Sequence, residues 1–376
     1  MKVRFLMLLP VLALSVLARA ADLPLPPVAA HAWVLLDVTS GQTIGSVKAT
    51  ERLEPASLTK LMTAYIVFEA LKEKRLTLDQ TVPVSERSWK AGGSRMFIQP
   101  RLPVTVDQLL HGVIVQSAND ACIALAEAVA GAEDAFAEHM NREAKRLGMV
   151  NTHFTNSSGL PDPAHYTTAQ DLAILAAALI RDFPEYYQRY YSEKEYRYNN
   201  ITQQNRNRLL WLDPNVDGVK TGHTDAAGYC LIASARRDKR RVLSVLLGAS
   251  SDSSRTQESQ KLLNYAFLNY DDVPLYEKGK VVSELPVWKG SESKLKAGVP
   301  SDLYVTVPRG MKDKLKADLV SQQPLLAPVS AGQRVATIKT TLDGKPLGEY
   351  PVVALQTVGV AGIFGRSIDT VRLWLK

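Results

Sequence analysis

Pro55-Ala-Ser-Leu-Thr-Lys60-Leu-Met-Thr-Ala-Tyr-Ile-Val-Phe-Glu-Ala-Leu-Lys72 is apolar almost all round, and from Ser57 onward it contains neither glycine nor proline. A helix with apolar residues on every face is threaded through a core, because a surface helix keeps one face polar. Such a helix needs other layers around it, so this stretch predicts a multilayer domain. Its first turn holds Ser57 and Lys60. Three positions are nearly one helical turn, which returns the amine to the side of the hydroxyl. An unactivated serine hydroxyl is a poor nucleophile at neutral pH and needs a base within hydrogen-bond reach. Lys60 can be that base only while neutral, which calls for desolvation or a nearby positive charge such as Lys220.

Upstream, His31 to Val38 and Thr43 to Val47 read as a strand hairpin turned at Ser40-Gly41. Downstream, helices are expected around 106 to 115, 120 to 130, 133 to 147 and 168 to 181. The last opens on Thr168-x-x-Asp171, the pattern of a capping box. After a polar tract from 186 to 208, strands are expected at Val216 to Thr224, Tyr229 to Ala235 and Val242 to Leu247, and then a helix from about 252 to 269. Strands at both ends with helices between them predict a mixed sheet with helical layers, an α+β domain. Beyond Asp272, short alternating segments (Val281 to Leu285, Leu303 to Val307, Val335 to Thr340, Tyr350 to Leu355) are punctuated by Gly and Pro. They predict a small β-rich domain in which no chemistry is visible.

Two more short motifs follow the first in order, Ser117-Ala-Asn119 and Lys220-Thr-Gly222. Each is weak alone, and together they describe a serine acyl-transfer site. Ser117 and Asn119 fall at a break between two expected helices, where a short loop can turn alternate side chains inward. The local alternative is a helix cap. Lys220 and Thr221 lie on a strand, and the missing side chain of Gly222 would let a substrate backbone approach and add to the strand edge.

The stretches Pro55-Ala-Ser57-Leu-Thr-Lys60-Leu-Met-Thr, Ser117-Ala-Asn-Asp-Ala-Cys122 and Asp217-Gly-Val-Lys220-Thr-Gly-His223-Thr carry a wider likeness. The chain resembles the low-molecular-mass penicillin-binding proteins, serine-type D-alanyl-D-alanine carboxypeptidases, over nearly its whole length. The resemblance implies a penicillin-binding/β-lactamase-like transpeptidase domain, a small β-rich domain and a C-terminal amphipathic helix. It also implies removal of the terminal D-Ala from peptidoglycan stem peptides, with β-lactam antibiotics as covalent inhibitors. By the same likeness Ser57 is the nucleophile, Ser117 passes a proton towards the leaving nitrogen, and Asn119 holds the substrate amide. Lys220, Thr221 and Arg255 meet the substrate carboxylate, and the backbone N–H groups of Ser57 and His223 form the oxyanion hole. Arg255 read by itself is equally a solvated helix residue. No cofactor is implied, and His31, His111, His139, His153 and His165 are scattered without metal-ligand spacing. Many relatives have a His before the Gly-Leu of the loop bordering the site, whereas this chain reads Asn156-Ser157-Ser158-Gly159-Leu160.

A serine β-lactamase with a water-activating glutamate would carry Glu-x-x-x-Asn, which is missing from 150 to 168. A D,D-endopeptidase would use the same three motifs. A non-catalytic cell-wall scaffold would tolerate loss of at least one of them.

Met1-Lys-Val-Arg, the apolar run Phe5 to Leu17 and Ala18-Arg19-Ala20-Ala21 have the order of a secretory signal, residues 1 to 21. A membrane anchor is the alternative, although the run is shorter than the roughly 20 residues of a spanning helix. Loss of Lys2, Arg4 and Arg19 with the leader lowers the formal charge from +7 to +4. That is no nucleic-acid footprint, and it suits work beside anionic lipid or wall polymer. The expected divisions are a D,D-peptidase domain over 22 to 272, the β-rich domain over 273 to 358 and a helix over 359 to 376. In that helix Val360, Phe364, Ile368, Val371 and Leu375 recur at steps of three or four, and it either lies in a membrane interface or docks on its own domain. The resemblance favours the periplasmic face of the inner membrane. Cys122 and Cys230 are the two cysteines, read as buried thiols with a disulfide as the other option.

Overall fold

The computed structural model describes residues 23 to 375, so the expected leader lies outside the described residues. Two compact units divide at Tyr270/Asp271.

The first unit, Leu23–Tyr270, is built on a five-stranded sheet. Its order is Thr43–Val47, Ala32–Asp37, Arg240–Ala249, Gly228–Arg237 and Val216–Thr224, and every pairing is antiparallel. The hairpin at the start of the chain thus joins three strands from some two hundred residues later. Successive side chains point to opposite faces of a strand, and both faces here are covered. Val34 and Leu36 enter the large helical core, while Trp33 and Leu35 are buried outside it. The helix Asp252–Asn269 packs on strands Gly228–Arg237 and Arg240–Ala249, and the helix Ala169–Asp182 packs on Arg240–Ala249 and Ala32–Asp37.

The helix Lys60–Lys72 is buried along its length except for half-buried Glu69 and exposed Lys72, as its composition requires. It is preceded by a tighter 3₁₀ turn, Ala56–Thr59, so Ser57 sits just outside the α-helix. The helix expected over 106 to 115 is an α-helix only over Val106–His111 and continues as a wider π turn over Gly112–Gln116. That turn ends at Ser117, which adopts the left-handed region with φ +62°. Thr168 caps its helix by accepting from Asp171 N at 3.0 Å, but Asp171 does not return the bond. Its carboxylate is taken by Asn151 N and Thr152 Oγ1 instead. The polar tract folds into a short hairpin, Glu195–Tyr198 with Ile201–Gln204.

The second unit, from Asp271 to the C-terminus, holds a six-stranded sheet. Its order is Leu315–Ser321, Arg334–Leu342, Lys345–Ala354, Lys294–Gly298, Val281–Trp288 and Leu325–Leu326. Leu303–Pro308 pairs with Tyr270–Tyr276 beside it. Leu295, Ala297, Val335, Ile338 and Val352 form its apolar centre. The terminal helix spans Ile363–Trp374, four residues later than expected, because Gly362 is its N-cap. It leaves Ile363, Phe364, Ile368, Val371 and Trp374 exposed. No helix among the described residues is long and apolar enough to cross a membrane.

Candidate active site

Three elements converge on Ser57: the buried helix, the left-handed corner at Ser117 and the edge strand Val216–Thr224. One cleft of about 410 Å³ is lined by Ser57, Ser117 and Asn119 and by Thr221, Gly222, His223 and Arg255. Lys60 and Lys220 do not line it. They lie beneath its floor, 1% and 3% exposed, so the two amines are covered by the residues that face solvent.

Lys60 Nζ donates to Ser57 Oγ at 2.9 Å and to the backbone carbonyl of Ser158 at 2.6 Å. Burial pulls its pKa from the ordinary 10.5 down to about 8, with the charge of Arg206 adding to the effect. Lys220, expected from sequence to supply that charge, is itself pushed well below the ordinary value by burial and by the charge of Lys60. A buried amine that resists protonation is a poor source of positive potential, so the cation on the cleft rim takes its place. Lys220 Nζ donates to Thr221 O at 3.1 Å.

The Ser117 hydroxyl is buried without a hydrogen-bond partner among the described residues. Its donor and acceptor capacity is therefore free, on a backbone corner in the left-handed region. Asn119 Nδ2 donates to Gly92 O at 2.7 Å, and its own N–H donates to Ser94 O at 2.7 Å, which fixes the side-chain direction. The next residue, Asp120, anchors the corner from behind. Its carboxylate accepts from the N–H groups of Met96, Phe97, Ile98 and Ala121 at 2.8 to 3.2 Å. Burial still raises its pKa despite those four bonds.

Gly222 has a packing use that the sequence did not show. A Cβ there would lie 3.2 Å from Pro55 O and 3.3 Å from Ala56 Cβ and Leu58 Cγ. The missing side chain therefore lets the strand press against the turn that bears Ser57. Arg255 is no solvated residue: it is 5% exposed, and Nη1 donates to Gly222 O at 3.1 Å and to Cys230 O at 3.3 Å. Nη2 pairs with Asp252, whose other oxygen holds Arg208 at 2.6 Å. The exposed ring of His223 stands against Tyr229, with centroids 4.1 Å apart.

Sequence reasoning missed Ser94, Arg206, Arg208 and Asp252. Arg206 Nη2 donates to Ser94 Oγ at 2.8 Å, and both residues line the cleft. The alternation Asn205-Arg206-Asn207-Arg208 was the one signal, in a tract that otherwise reads as surface. The cleft shares Arg206, Arg208, Asp252 and Arg255 with a neighbouring cavity of about 660 Å³. At position 158 the side chain makes only a 3.3 Å bond to Asn156 Oδ1, and it is the carbonyl that meets Lys60.

Cys122 and Cys230 are buried free thiols. Burial raises Cys122 to about 12 and Cys230 to about 11, so neither is a thiolate at neutral pH. Away from the cleft, Glu69, His139 and Glu143 bring possible ligand atoms within 4.8 Å of one another, which their spacing in sequence did not suggest. Arg146 pairs with Glu143 at 2.6 Å and with Glu69 at 3.8 Å, so a cation already serves both carboxylates.

With a serine, a buried low-pKa amine and a cationic cleft end in place, the arrangement can form and hydrolyse an ester on Ser57. The D-alanyl-D-alanine carboxypeptidase family profile matches residues 18–251, and that of the penicillin-binding protein 5 C-terminal domain matches residues 270–360. The D-alanyl-D-alanine carboxypeptidase DacC of Escherichia coli is 43% identical over 356 residues, 93% of this chain and 89% of that one. A crystal structure of penicillin binding protein 5 from Haemophilus influenzae superposes with a TM-score of 0.85 at 39% identity, covering 90% of this chain and 100% of that chain. Penicillin-binding protein D2 from Listeria monocytogenes, in its ampicillin-bound form, gives a TM-score of 0.60 at 31% identity over 65% of this chain and 100% of that chain.

Proposed function

The chain belongs to the D-alanyl-D-alanine carboxypeptidase family of serine-type hydrolases, and from that premise we propose how its own residues divide the work. The enzyme removes the terminal D-Ala from peptidoglycan stem peptides and is a target of β-lactams, which share its acylation step. Ser57 attacks the penultimate carbonyl while neutral Lys60 takes its proton. The 2.9 Å contact between Lys60 Nζ and Ser57 Oγ, beneath the cleft floor, carries this assignment. With one N–H of Lys60 given to Ser158 O, the lone pair of the neutral amine is free for the Ser57 proton. The unpartnered Ser117 hydroxyl relays a proton to the departing amine, and Asn119 holds the substrate amide. Backbone N–H groups of Ser57 and His223 receive the oxyanion. Thr221 and Arg255 meet the substrate carboxylate at the end of the cleft, with Lys220 held behind them on the same strand through its bond to Thr221 O and Gly222 keeping that strand close to Ser57. Water then hydrolyses the acyl-enzyme.

The measurement that tests this is free D-alanine released from a soluble peptide ending in D-Ala-D-Ala, by the wild type and by Ser57→Ala. Release should vanish in the variant. A folded wild type that takes penicillin and releases no D-alanine would overturn the carboxypeptidase assignment.

The same reading has residues 1 to 21 as an export leader, 22 to 272 as the peptidase domain, 273 to 358 as the β-rich domain and the terminal helix as an interfacial anchor on the periplasmic face of the inner membrane. Exposed Phe364, Ile368, Val371 and Trp374, with Arg366 and Arg372 among them, support the anchor. Removal of 359 to 376 should free the protein from membranes with its turnover intact, and a truncated form that still sediments with membranes would refute the anchor.

A further inference from the structure

We propose that His165 is a positioning residue which, through Thr59, fixes the peptide group that aims the Ser57 N–H at the oxyanion. The inference rests on the reading above in that Ser57 N–H is an oxyanion donor. His165 is 2% exposed, with its ring edge-on to Phe154. Thr155 N–H donates to Nδ1 at 3.1 Å, so Nδ1 is the acceptor nitrogen and Nε2 carries the proton. Burial holds the ring pKa down to about 4, which keeps this neutral form at neutral pH. Nε2–H then donates to Thr59 Oγ1 at 2.8 Å, and the Thr59 hydroxyl donates to Ala56 O at 2.9 Å.

Ala56 O and Ser57 N–H belong to one planar peptide group and, in a trans peptide, point in opposite directions. A carbonyl held towards Thr59 therefore sends the Ser57 N–H away from it, to the cleft side. This peptide needs holding, because Ala56 sits at φ +48°, a region unfavourable for a residue with a Cβ. The loop that carries His165 closes tightly on the same carbonyl. A Cβ on Gly159 would lie 1.8 Å from Ala56 O and 2.7 Å from Thr59 Oγ1, and Gly159 itself has φ +83°. The relay Thr155, His165, Thr59, Ala56 thus ties the nucleophile's turn to the loop whose next contact, Ser158 O, holds Lys60.

The test compares His165→Leu with His165→Gln, and Thr59→Val with Thr59→Ser. Two rates are read: acylation of Ser57 by a soluble penicillin in single turnover, and kcat and KM for D-alanine release. Deleting one oxyanion donor costs roughly a hundredfold to a thousandfold, so misaiming one should cost roughly tenfold to a hundredfold. That loss is expected in acylation and kcat for His165→Leu and Thr59→Val, with KM within about twofold. Glutamine can donate to Thr59 and accept from Thr155, so His165→Gln should recover most of the rate, as should Thr59→Ser. Combining His165→Leu with Thr59→Val should add little to either alone, since both cut one relay. Unchanged acylation in His165→Leu, a loss confined to KM, a glutamine variant no better than leucine, or additive losses would each overturn the proposal. If His165→Leu does not fold, as judged by thermal unfolding, the Thr59 pair decides the question. A wild type that takes penicillin without releasing D-alanine would remove the carboxypeptidase reading and leave the acylation comparison standing.

Discussion

The two units bury opposite kinds of interior. In Leu23–Tyr270, full burial extends to Lys60, Lys220, Asp120, His165 and Arg255, whereas among the described residues of the second unit the buried polar side chains are Thr306 and Thr340. A charge taken out of water is costly unless its partners are excellent, and a marginally stable protein tolerates few of them. The first unit keeps these ionisable groups in places that disfavour their charge, as acid–base chemistry requires, and the second is an ordinary apolar β structure.

The sharpest way to break that contrast is Lys60→Met. Acylation of Ser57 should fall at least about a thousandfold for want of a base, while stability at pH 7 should rise. The folded pKa of about 8 lies below the ordinary 10.5. Between those values the unfolded chain binds the proton more readily, so Lys60 burdens the fold increasingly as pH falls from about 10.5 to 8 and by a constant amount below. At roughly 1.4 kcal/mol per pKa unit the burden reaches up to about 3 kcal/mol, less what the orphaned Ser158 carbonyl costs. Thermal melts of both proteins at pH 7 and pH 11 check the sign: the variant's advantage should shrink at the higher pH. In the wild type, the acylation rate should rise about tenfold per unit up to pH ~8 and then level off.

Asp120→Asn should act in the reverse sense. The amide would present N–H groups to a cage of backbone donors, costing about 2–4 kcal/mol in denaturant melts. A neutral outcome would mean that the Ser117 corner does not depend on that cage. Arg255→Ala should reduce peptide turnover at least about tenfold more than penicillin acylation, and equal losses would remove its link to the substrate carboxylate. The smallest effect belongs to the second unit. Thr340→Val removes one 3.2 Å bond to Gly348 O, and its cost should stay under about 1 kcal/mol.

Much of this was legible in sequence. The strand Val216–Thr224 and the helix Glu133–Leu147 lie where their patterns placed them, because alternation and helical periodicity are local properties. The pairing of Ser57 with Lys60 was legible for the same reason. Arg206 was not, since its place on the cleft depends on a hairpin in a polar tract folding over towards Ser94. The cause of the low Lys60 pKa, left open between desolvation and a cation such as Lys220, was not decidable for a related reason: burial is a property of the whole core, and a sequence shows only which cations exist. The packing use of Gly222 was not legible either, because the atoms it makes room for belong to Pro55, Ala56 and Leu58.

The contact between Lys60 and the Ser158 carbonyl has a consequence for how such a cleft is surveyed. A main-chain oxygen is present whatever side chain follows it, so replacing Ser158 by alanine deletes nothing that Lys60 touches. The influence of position 158 on the base would surface when the path of the backbone changes, through loss of Asn156 Oδ1, which accepts from the N–H groups of Ser158, Gly159 and Leu160, or through a side chain forced onto Gly159.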